Sequence, residues 1–492
     1  MKLSELLNLV KSDHHINNDI EIKELTYDSR KAHDNSFFFC LSGSKVDGHD
    51  FADSAYESGC RLFAVERILD LPEDAEQILV KNTRESLSLY SAAFYDFPSQ
   101  KMRVAGITGT KGKTSTAVYV QKILNDHGIK CGYIGTIGVI YGSHYYSTNN
   151  STPESLDINR YMREMLDEGI KHVVIEVSSQ ALVNYRVNDI KFDIVAYTNL
   201  SPDHISPTEH HSFEEYRDAK KRLFTDFNST FAIYNIDDEY SAYMLSDNRS
   251  QKISYGIKGN GVYQGEGIMP YKNDSCFGIK FRLILNGTET YVSLKTPGKF
   301  SVYNALCAIA ISHYMGVMDY AAIESLSDAT VPGRFEIFDP DSAKKHAYFV
   351  IDYAHNGYSL DNVLRVLKYY SPERIICLFG SVGGRSYSRR KELAETASRY
   401  ADISIITSDN PDYEDPVSII DEIAGYYEQS KEYYTFADRE EAVRFAVDIS
   451  RPGDIVLFAG EGHEDYQLIS GKKVKFSEKE IIKDELSEPL AY

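Results

Sequence analysis

The sequence has no tryptophan, few cysteines and fewer basic than acidic residues. Its six cysteines stand singly, without the Cys-x-x-Cys spacing of a zinc knuckle or redox pair, so we expect reduced thiols in a cytoplasmic protein. Lys and Arg number 53 against 73 Asp and Glu, which gives a net charge of −20. This balance argues against a broad basic surface for nucleic acid or for an anionic membrane.

Long apolar runs are also missing. No apolar stretch approaches the roughly 20 residues that a membrane-spanning helix needs. Near the start, apolar residues at positions 3, 6, 7 and 10 form a helical stripe rather than the continuous apolar segment of a signal peptide. We therefore expect no membrane insertion and no export signal.

The 492 residues instead have the composition of a globular protein with two to four domains, 42% apolar and 26% charged. Short apolar runs alternate with helical patterns, which is typical of α/β folds built on parallel strands. We place domain boundaries to give residues 1–98, 99–332 and 333–492. Strands are predicted at 102–107, 172–177, 193–198, 230–234, 348–352, 374–379, 402–407 and 454–459. Within the central block, alternation over 277–293 around Asn286-Gly287 predicts a small antiparallel flap.

The clearest motif is a glycine-rich turn between a predicted strand and a predicted helix, at residues 104–114. Small residues there let backbone N–H groups approach phosphate oxygens, and the helix N-terminus adds positive potential. Lys113 can reach the outer phosphates, and the Thr114 hydroxyl can ligate Mg²⁺. The motif therefore predicts an ATP site, although Ile107 stands where the general phosphate-loop pattern has its first glycine.

Two further polar residues follow neighbouring strands of the same predicted sheet. Glu176 ends one strand, and Asp203-His204 follows another. Ligands bind at the carboxyl ends of parallel strands, so a carboxylate and an imidazole there suit Mg²⁺ or phosphate. Taken singly, each is more often a buried hydrogen-bonding residue or a helix cap, but their shared position favours the functional interpretation. Lys220 lies in a predicted helix, and its sequence context predicts a solvated cationic face.

In these and other segments the sequence resembles the Mur ligases, the ATP-dependent amide ligases that build the peptidoglycan stem peptide. Within that family it is similar to the UDP-N-acetylmuramoyl-tripeptide synthetases, which add the third amino acid. The matching segments run through the chain: 28–30, 47–49, 109–114, 151–154, 176–179, 199–204, 219–220, 304, 333–336, 352–355, 409–411 and 460–464.

The resemblance implies a uridine-nucleotide-binding first domain, a central ATP-binding phosphate-loop domain and a Rossmann-like third domain that binds the amino acid. It implies that ATP phosphorylates the D-glutamate side-chain carboxylate of UDP-N-acetylmuramoyl-L-alanyl-D-glutamate and that the incoming amine then attacks the acyl phosphate. We expect a cytoplasmic monomer with small-molecule substrates, ATP and Mg²⁺. Lys220 corresponds to the lysine that the family carbamylates with CO₂, which gives N6-carboxylysine.

The resemblance also implies roles for individual residues. Catalytic roles fall on Lys113, Glu176, His204 and Lys220, and the metal ligands would be Thr114, Glu176, His204 and the carbamate of Lys220. ATP would be held by Gly109, Thr110, Lys111, Gly112, Lys113, Thr114, Ser115, Asn304, Arg334 and Asp352. The UDP-sugar peptide would be held by Ser29, Thr152, Pro153, Ser178, Asn184 and Arg186. The amino acid would be held by Asp409, Asn410, Asp412, Gly460 and Glu464.

The acceptor site departs from the best-known pattern of the family. Members that add meso-diaminopimelate typically carry Asp-Asn-Pro-Arg, whose Arg pairs with the distal carboxylate, but this chain has Asp412 in that place. Glu461 stands where the family usually has Lys. Both carboxylates would favour an ammonium group, so we expect L-lysine first and L-ornithine second. Alternatively, Asp412 only closes a turn, and another Arg provides specificity for diaminopimelate.

Other departures are Lys111, where the family usually has Asn, and the changed segment around Arg385. A divergent paralogue with another acceptor, a phosphate-loop ATPase or kinase, and a weakened scaffold member are the remaining alternatives. The ATPase or kinase alternative leaves the first and last blocks unexplained, whereas the set of candidate catalytic residues argues against a scaffold.

Overall fold

The structure is a computed structural model that describes residues 1–43, 46–203, 205, 209–273, 276–338, 346–384 and 387–487. Up to residue 98 the chain alternates short strands and helices. These are α1 (Leu3–Leu9), β1 (Glu24–Thr26), β2 (Ser36–Phe39), α2 (Ala52–Glu57), β3 (Leu62–Val65), β4 (Glu76–Leu79) and α3 (Thr83–Phe94).

The next part of the chain contains the longest series of strands. Its first elements are β5 (Arg103–Thr108), α4 (Lys113–Asp126), β6 (Cys131–Gly135), β7 (Gly138–Tyr141), β8 (His144–Tyr146), α5 (Ser155–Asp167), β9 (His172–Glu176), α6 (Ser179–Val183), β10 (Ile194–Tyr197) and α7 (Phe213–Thr225). They are followed by β11 (Phe231–Asn235), α8 (Ser241–Met244), β12 (Gln251–Gly256), β13 (Tyr263–Lys272), β14 (Phe277–Leu285), β15 (Thr288–Leu294), α9 (Lys299–Tyr314) and α10 (Asp319–Leu326).

The last part returns to regular α/β alternation. Its elements are β16 (Glu336–Phe338), β17 (Tyr348–Asp352), α11 (Gly357–Lys368), β18 (Ile375–Phe379), α12 (Tyr387–Tyr400), β19 (Ile403–Thr407), α13 (Pro416–Tyr426), β20 (Glu432–Phe436), α14 (Arg439–Asp448), β21 (Ile455–Ala459), β22 (Tyr466–Ile469), β23 (Lys472–Lys475) and α15 (Glu478–Ser487).

The chain divides into two compact units. The first, which we call the loop unit, comprises Met1–Gln264 and Tyr303–Ser325; the second, the carboxy unit, comprises Gly265–Val302 and Leu326–Tyr492. The boundaries at 98/99 and 332/333 that the sequence suggests for three domains remain predictions.

The loop unit contains two sheets. The smaller is parallel, in the order β1-β2-β3-β4. The larger runs β12-β11-β10-β5-β9-β6-β7-β8, parallel from β12 to β6, with β7 and β8 antiparallel. In register, Ile107 of β5 pairs with Glu176 of β9, and Thr108 pairs with Tyr197 of β10. The carboxyl ends of these three strands therefore meet at the same edge, where parallel sheets bind ligands.

The carboxy unit is built on a second parallel sheet, in the order β17-β21-β18-β19-β20, with β16 antiparallel at one edge. Its strands β17, β18, β19 and β21 are buried along their whole length, as expected where helices cover both faces. Two antiparallel hairpins, β14–β15 and β22–β23, belong to the same unit. The α/β class, the parallel phosphate-loop and Rossmann-like sheets and the flap are all confirmed.

The flap has the turn that its sequence predicts. Asn286 and Gly287 both have positive φ, at 51° and 77°, which the two central residues of a type I′ hairpin turn require.

Among the described residues, no helix is long and apolar enough to cross a membrane.

Candidate functional site

The glycine-rich turn joins β5 to α4, and two of its glycines cannot be replaced without strain. Gly109 and Gly112 have φ of 149° and 87°. A Cβ at Gly109 would overlap Oγ1 of Thr198, and one at Gly112 would overlap Oδ1 of Asn304. Both positions therefore need glycine for backbone conformation and for space. The second contact also places Asn304 of α9 beside the turn, as the family resemblance implies.

Two residues that follow β10, Thr198 and Asn199, hold the backbone of this turn. The Thr110 N–H donates to the carbonyl oxygen of Asn199 at 2.8 Å, and the Lys111 N–H donates to Oδ1 of Asn199 at 3.0 Å. In return, Oγ1 of Thr198 donates to the carbonyl oxygen of Lys111 at 2.7 Å. Both N–H groups and a carbonyl oxygen of the turn are therefore held by hydrogen bonds. A phosphate-binding turn needs such preorganisation.

Three lysines surround the turn. Nζ of Lys113 donates to the carbonyl oxygens of Gly109 and Thr110 at 2.8 and 3.1 Å, and Nζ of Lys220 donates to Gly109 at 2.9 Å. Lys111 pairs with Asp203 at 3.1 Å. Of the three, Lys113 places positive charge at the turn of an acidic protein, as an anionic nucleotide requires.

Lys220 does not lie on a solvated face, so that prediction was wrong. It is 2% exposed, because α7 packs the side chain inward among Tyr216, Leu223 and Phe224, which are buried on the same helix. Burial and the nearby charge of Lys113 hold the pKa of the Lys220 amine well below its usual value. Neighbouring Lys221 instead pairs with Asp247 at 2.6 Å.

Thr114 and Glu176 form the oxygen pair that could hold Mg²⁺. Oγ1 of Thr114 donates to Oε2 of Glu176 at 2.9 Å, and both side chains are buried. A carboxylate and a hydroxyl beside a phosphate cradle fit Mg²⁺, which takes few protein ligands and completes its octahedron with phosphate and water. His204 lies outside the described residues. Among those that are described, no group of three or more His, Cys, Asp or Glu side chains is placed to share a metal ion.

Three residues of the expected sugar-peptide set meet next to Glu176. Oγ1 of Thr152 donates to the carbonyl oxygen of Glu176 at 2.7 Å, and the Ser178 N–H donates to Oγ1 of Thr152 at 3.1 Å. Nη1 of Arg186 donates to the carbonyl oxygen of Thr152 at 3.1 Å, and its Nε donates to Oε1 of Glu154 at 2.9 Å.

The other members of this set are arranged less closely. Pro153 is buried beside Thr152. Asn184 is the C-cap of α6 and donates from Nδ2 to the carbonyl oxygen of Gln180 at 2.9 Å. Ser29 lies half-buried in a short 3₁₀ turn of the loop unit. Ser115, which belongs to the expected ATP contacts instead, is half-buried in the first turn of α4.

Arg334 and Asp352, the remaining expected ATP contacts, belong to the carboxy unit. Oδ2 of Asp352 accepts from the Phe335 N–H at 2.8 Å, and the Arg334 guanidinium lies 4.5 Å from the ring centroid of Tyr353. Tyr353 in turn donates to Oε1 of Glu464 at 3.0 Å. These contacts connect the end of β17 to the residues expected to bind the amino acid.

The expected amino-acid residues gather around Asn410, in the carboxy unit. Nδ2 of Asn410 donates to Oε2 of Glu464 at 3.2 Å, and a Cβ at Gly460 would lie 2.5 Å from Oδ2 of Asp409. Glu461 is buried, and its carboxylate accepts from Nε2 of Gln467 at 3.0 Å and from Nδ2 of Asn410 at 3.4 Å. Burial and the neighbouring Asp409 carboxylate raise the pKa of Glu461 well above its usual range.

Asp412 has a local structural role in this site. Its Oδ1 accepts from the Gly471 N–H at 2.8 Å, and its backbone pairs with Leu468 and Ser470, so it anchors the β22–β23 hairpin. Its φ of 52° suits Asp better than most residues. These contacts agree with the alternative in which Asp412 closes a turn.

Arginines that the sequence did not point to lie near Asp409. Nε and Nη2 of Arg439 bind Oε1 of the buried Glu478 at 3.0 and 2.7 Å, and Nη2 also donates to the carbonyl oxygen of Ala459 at 2.8 Å. Burial raises the pKa of Asp409, while the guanidinium groups of Arg439 and Arg389 oppose the rise. Nothing in the local sequence distinguishes these arginines from surface cations, because their partners come from distant segments.

Loop contacts hold the first turn of α12, which carries Arg389, against the segment that follows β19. The Gly383 N–H donates to the carbonyl oxygen of Asn410 at 3.1 Å. Nη2 of Arg390 binds Oε2 of Glu414 at 2.7 Å. Arg385, the family-like arginine of this loop, lies outside the described residues.

Comparison with known families gives three matches along the chain. Residues 21–95 match the Mur ligase family, catalytic domain; residues 107–312 match the Mur ligase middle domain; and residues 333–462 match the Mur ligase, glutamate ligase domain.

Curated relatives are similar over nearly the whole chain. A UDP-N-acetylmuramoyl-L-alanyl-D-glutamate–2,6-diaminopimelate ligase of Caldanaerobacter subterraneus subsp. tengcongensis is 37% identical over 489 residues, 99% of each chain. An Aquifex aeolicus relative of the same name is 35% identical and covers 94% of this chain and 93% of its own. These relatives are named for diaminopimelate, so they do not support the preference for lysine.

Solved structures of related ligases share the fold. A UDP-N-acetylmuramoyl-L-alanyl-D-glutamate–2,6-diaminopimelate ligase structure has a TM-score of 0.69 and 25% identity over 99% of both chains. A MurF ligase from Thermotoga maritima in complex with ADP has a TM-score of 0.63 and 17% identity, covering 95% of this chain and 99% of its own, which shows the fold alone.

Proposed function

The chain belongs to the Mur ligase family, and we propose that it joins 2,6-diaminopimelate to UDP-N-acetylmuramoyl-L-alanyl-D-glutamate at the expense of ATP. The observation that carries the ligase proposal is the joint placement of Lys113, Thr114 and Glu176 at one sheet edge around a rigid glycine-rich turn. The names of relatives similar over 99% of the chain support the choice of substrates.

The proposed reaction overcomes the poor electrophilicity of a carboxylate. The D-glutamate side-chain carboxylate attacks the γ-phosphorus of ATP, ADP leaves, and an acyl phosphate forms. The amine of the acceptor then attacks the acyl carbon, inorganic phosphate leaves, and the amine loses a proton. Lys113 and the N–H groups at the start of α4 would offset the negative charge on the phosphates. Bound Mg²⁺, held by Thr114 and Glu176, would supply further charge neutralisation.

We propose that Lys220 carries the carbamate typical of the family. Addition of the amine to CO₂ forms an N–C bond and releases a proton, and it replaces a cation by two oxygens that can bind Mg²⁺. The burial of Lys220 and its contact with Gly109 support this assignment, because they place the side chain at the phosphate turn. His204 would complete the set of metal ligands.

The two organic substrates would bind to separate sets of residues. Thr152, Ser178 and Arg186 adjoin the end of β9, which suits a path for the muramoyl dipeptide, with Ser29 at the uridine end, Asn184 along the path and Pro153 shaping it. In the carboxy unit, Asp409, Asn410, Gly460 and Glu464 would receive the amino acid. Arg334 and Asp352 would contact the nucleotide.

We also propose that the chain acts as a monomer.

The choice of acceptor depends on which charges the site offers to the distal end of the amino acid. Diaminopimelate has a carboxylate there, and we propose that Arg389 pairs with it, because the first turn of α12 carries Arg389 and is held against the segment that contains Asn410. Lysine remains the second candidate, because Asp409, Glu461 and Glu464 surround Asn410 with carboxylates and no Arg stands at position 412. Asp412 itself no longer argues for lysine, since its side chain is bound to the Gly471 N–H.

A turnover assay tests the proposal. Purified protein, ATP, Mg²⁺ and UDP-N-acetylmuramoyl-L-alanyl-D-glutamate are combined with meso-diaminopimelate, L-lysine or L-ornithine, and ADP and the tripeptide product are measured. We expect product only with all components, and most with diaminopimelate. Phosphate release that ignores both cosubstrates would indicate an ATPase or kinase instead. Exclusive use of lysine or ornithine would reject only the diaminopimelate assignment.

A further inference from the structure

The carboxylate of Glu176 accepts hydrogen bonds beyond the one from Thr114. It is fully buried and accepts four hydrogen bonds. Oε2 accepts from Oγ1 of Thr114 at 2.9 Å and from Oγ1 of Thr136 at 3.1 Å. Oε1 accepts from the Thr136 N–H at 2.9 Å and from the hydroxyl of Tyr133 at 2.5 Å. Only Thr114 among these donors belongs to the phosphate turn.

Tyr133 reaches this carboxylate from the neighbouring strand. It lies on β6, opposite Val174 of β9, and its ring is fully buried. Its hydroxyl accepts from the Ile137 N–H at 3.2 Å, and because a phenol has one proton, that proton is directed to Oε1 of Glu176. The direction of the short hydrogen bond is therefore set by the backbone of the turn after β6.

The space around this contact is closed. A Cβ at Gly135 would overlap both Oε1 of Glu176 and the hydroxyl of Tyr133. Glycine at this position is what lets the phenol and the carboxylate approach each other. The carboxylate consequently has little freedom to rotate away from Thr114.

We propose that Tyr133 is a positioning residue for the Mg²⁺ site: its hydroxyl occupies Oε1 of Glu176 and keeps Oε2 paired with the hydroxyl of Thr114. The inference rests on the proposed function insofar as Thr114 and Glu176 hold Mg²⁺. Groups that orient metal ligands by hydrogen bonds change metal affinity by about 10- to 100-fold when they are removed. Thr136 supports the same carboxylate through its hydroxyl and its N–H.

The test is Tyr133→Phe, which keeps the ring and removes one oxygen. The matched control is Tyr141→Phe, because Tyr141 on β7 is also buried and donates to a glutamate, Oε2 of Glu164, at 2.6 Å. For each variant, ADP binding is measured by calorimetry with EDTA and across a Mg²⁺ titration, and thermal unfolding is recorded separately.

We expect Tyr133→Phe to raise the half-saturating Mg²⁺ concentration about 10- to 100-fold. ADP binding in EDTA should stay unchanged, and Tyr141→Phe should leave the Mg²⁺ dependence as in the unchanged protein. Equal Mg²⁺ dependence in the two variants would overturn the proposal. If Tyr133→Phe does not fold, Thr136→Val tests the same carboxylate, because it removes the hydroxyl that donates to Oε2 of Glu176. A raised Mg²⁺ requirement then supports positioning of Glu176 by its hydrogen-bond donors, and an unchanged one rejects it.

The outcome is separate from that of the ligase proposal. ADP and Mg²⁺ binding needs neither the UDP-sugar peptide nor an amino acid, so the positioning role can hold even where no tripeptide forms. Conversely, tripeptide formation with an unchanged Mg²⁺ dependence in Tyr133→Phe would leave the ligase proposal standing and reject this one.

Discussion

Lys113 and Lys220 donate hydrogen bonds to the same acceptor, the carbonyl oxygen of Gly109, at 2.8 and 2.9 Å. One lysine begins the helix after the phosphate turn, and the other comes from a helix more than 100 residues later. Two amines thus converge on one backbone oxygen, and the carbonyl helps to offset their mutual repulsion. The contact makes each lysine part of the same site while leaving their proposed roles different.

Lys113→Ala should abolish turnover, with kcat lowered at least about 100-fold, because it removes a charged donor aimed at developing phosphate charge. ADP formation in the complete assay measures the effect, and circular dichroism checks folding. Lys122→Ala is the control, since Lys122 lies on the same helix and pairs with Asp126 on its exposed side. Near-normal turnover of a folded Lys113→Ala protein would remove Lys113 from the mechanism.

Lys220→Ala should lose most activity and regain part of it with added short-chain carboxylic acids, which can occupy the place of the carbamate. Protein equilibrated with ¹³C-bicarbonate should show a carbamate carbon signal by NMR that is absent from Lys220→Ala. Lys221→Ala, one residue along the same helix, should keep both the signal and the activity. Full activity of Lys220→Ala would reject the carbamate assignment.

Arg389→Ala should raise the KM for diaminopimelate about tenfold or more, since it removes the guanidinium proposed to face the distal carboxylate. The KM for ATP should stay the same, and any use of lysine should not fall. Arg399→Ala provides the control, because Arg399 is exposed near the other end of α12. An unchanged KM for diaminopimelate would direct the search for specificity to other residues.

Glu478→Gln should lower the free energy of unfolding by about 3 kcal/mol, because it leaves the buried guanidinium of Arg439 without its carboxylate. Thermal and urea unfolding give the measurement. Glu440→Gln breaks the exposed pair with Arg444, also on α14, and should cost less than about 1 kcal/mol. Equal losses in both variants would show that the burial of the Arg439–Glu478 pair adds nothing to stability.

Much of the fold and the phosphate turn follows from local sequence. The strand predicted at 348–352 is observed as Tyr348–Asp352, and the helix predicted after the turn is observed as Lys113–Asp126. Buried parallel strands consist of continuous apolar residues, and a glycine-rich turn needs particular residues at adjacent positions. Such features depend only on neighbouring residues, so the amino-acid sequence is enough to identify Lys113, Thr114 and Glu176 as candidates.

The acceptor site is harder to predict, because charge alone does not tell what a side chain contacts. Asp412 and Glu461 favour lysine in the sequence, yet one binds the Gly471 N–H and the other is buried against Gln467. Those partners come from the segment that includes the β22–β23 hairpin, which no pattern in the sequence predicts. Arg389 becomes a candidate only because its helix packs against the segment that contains Asn410.

Neighbouring residues in the chain are enough to predict the α/β class, the glycine-rich phosphate turn and the strand end that carries Glu176. The folded chain was needed to show that Lys220 is buried beside Gly109, 111 residues away, and that Tyr133 donates a hydrogen bond to Glu176, 43 residues away. Contacts of this kind depend on which strands and helices become neighbours, and a hydrogen bond between distant segments has no pattern of its own in the chain.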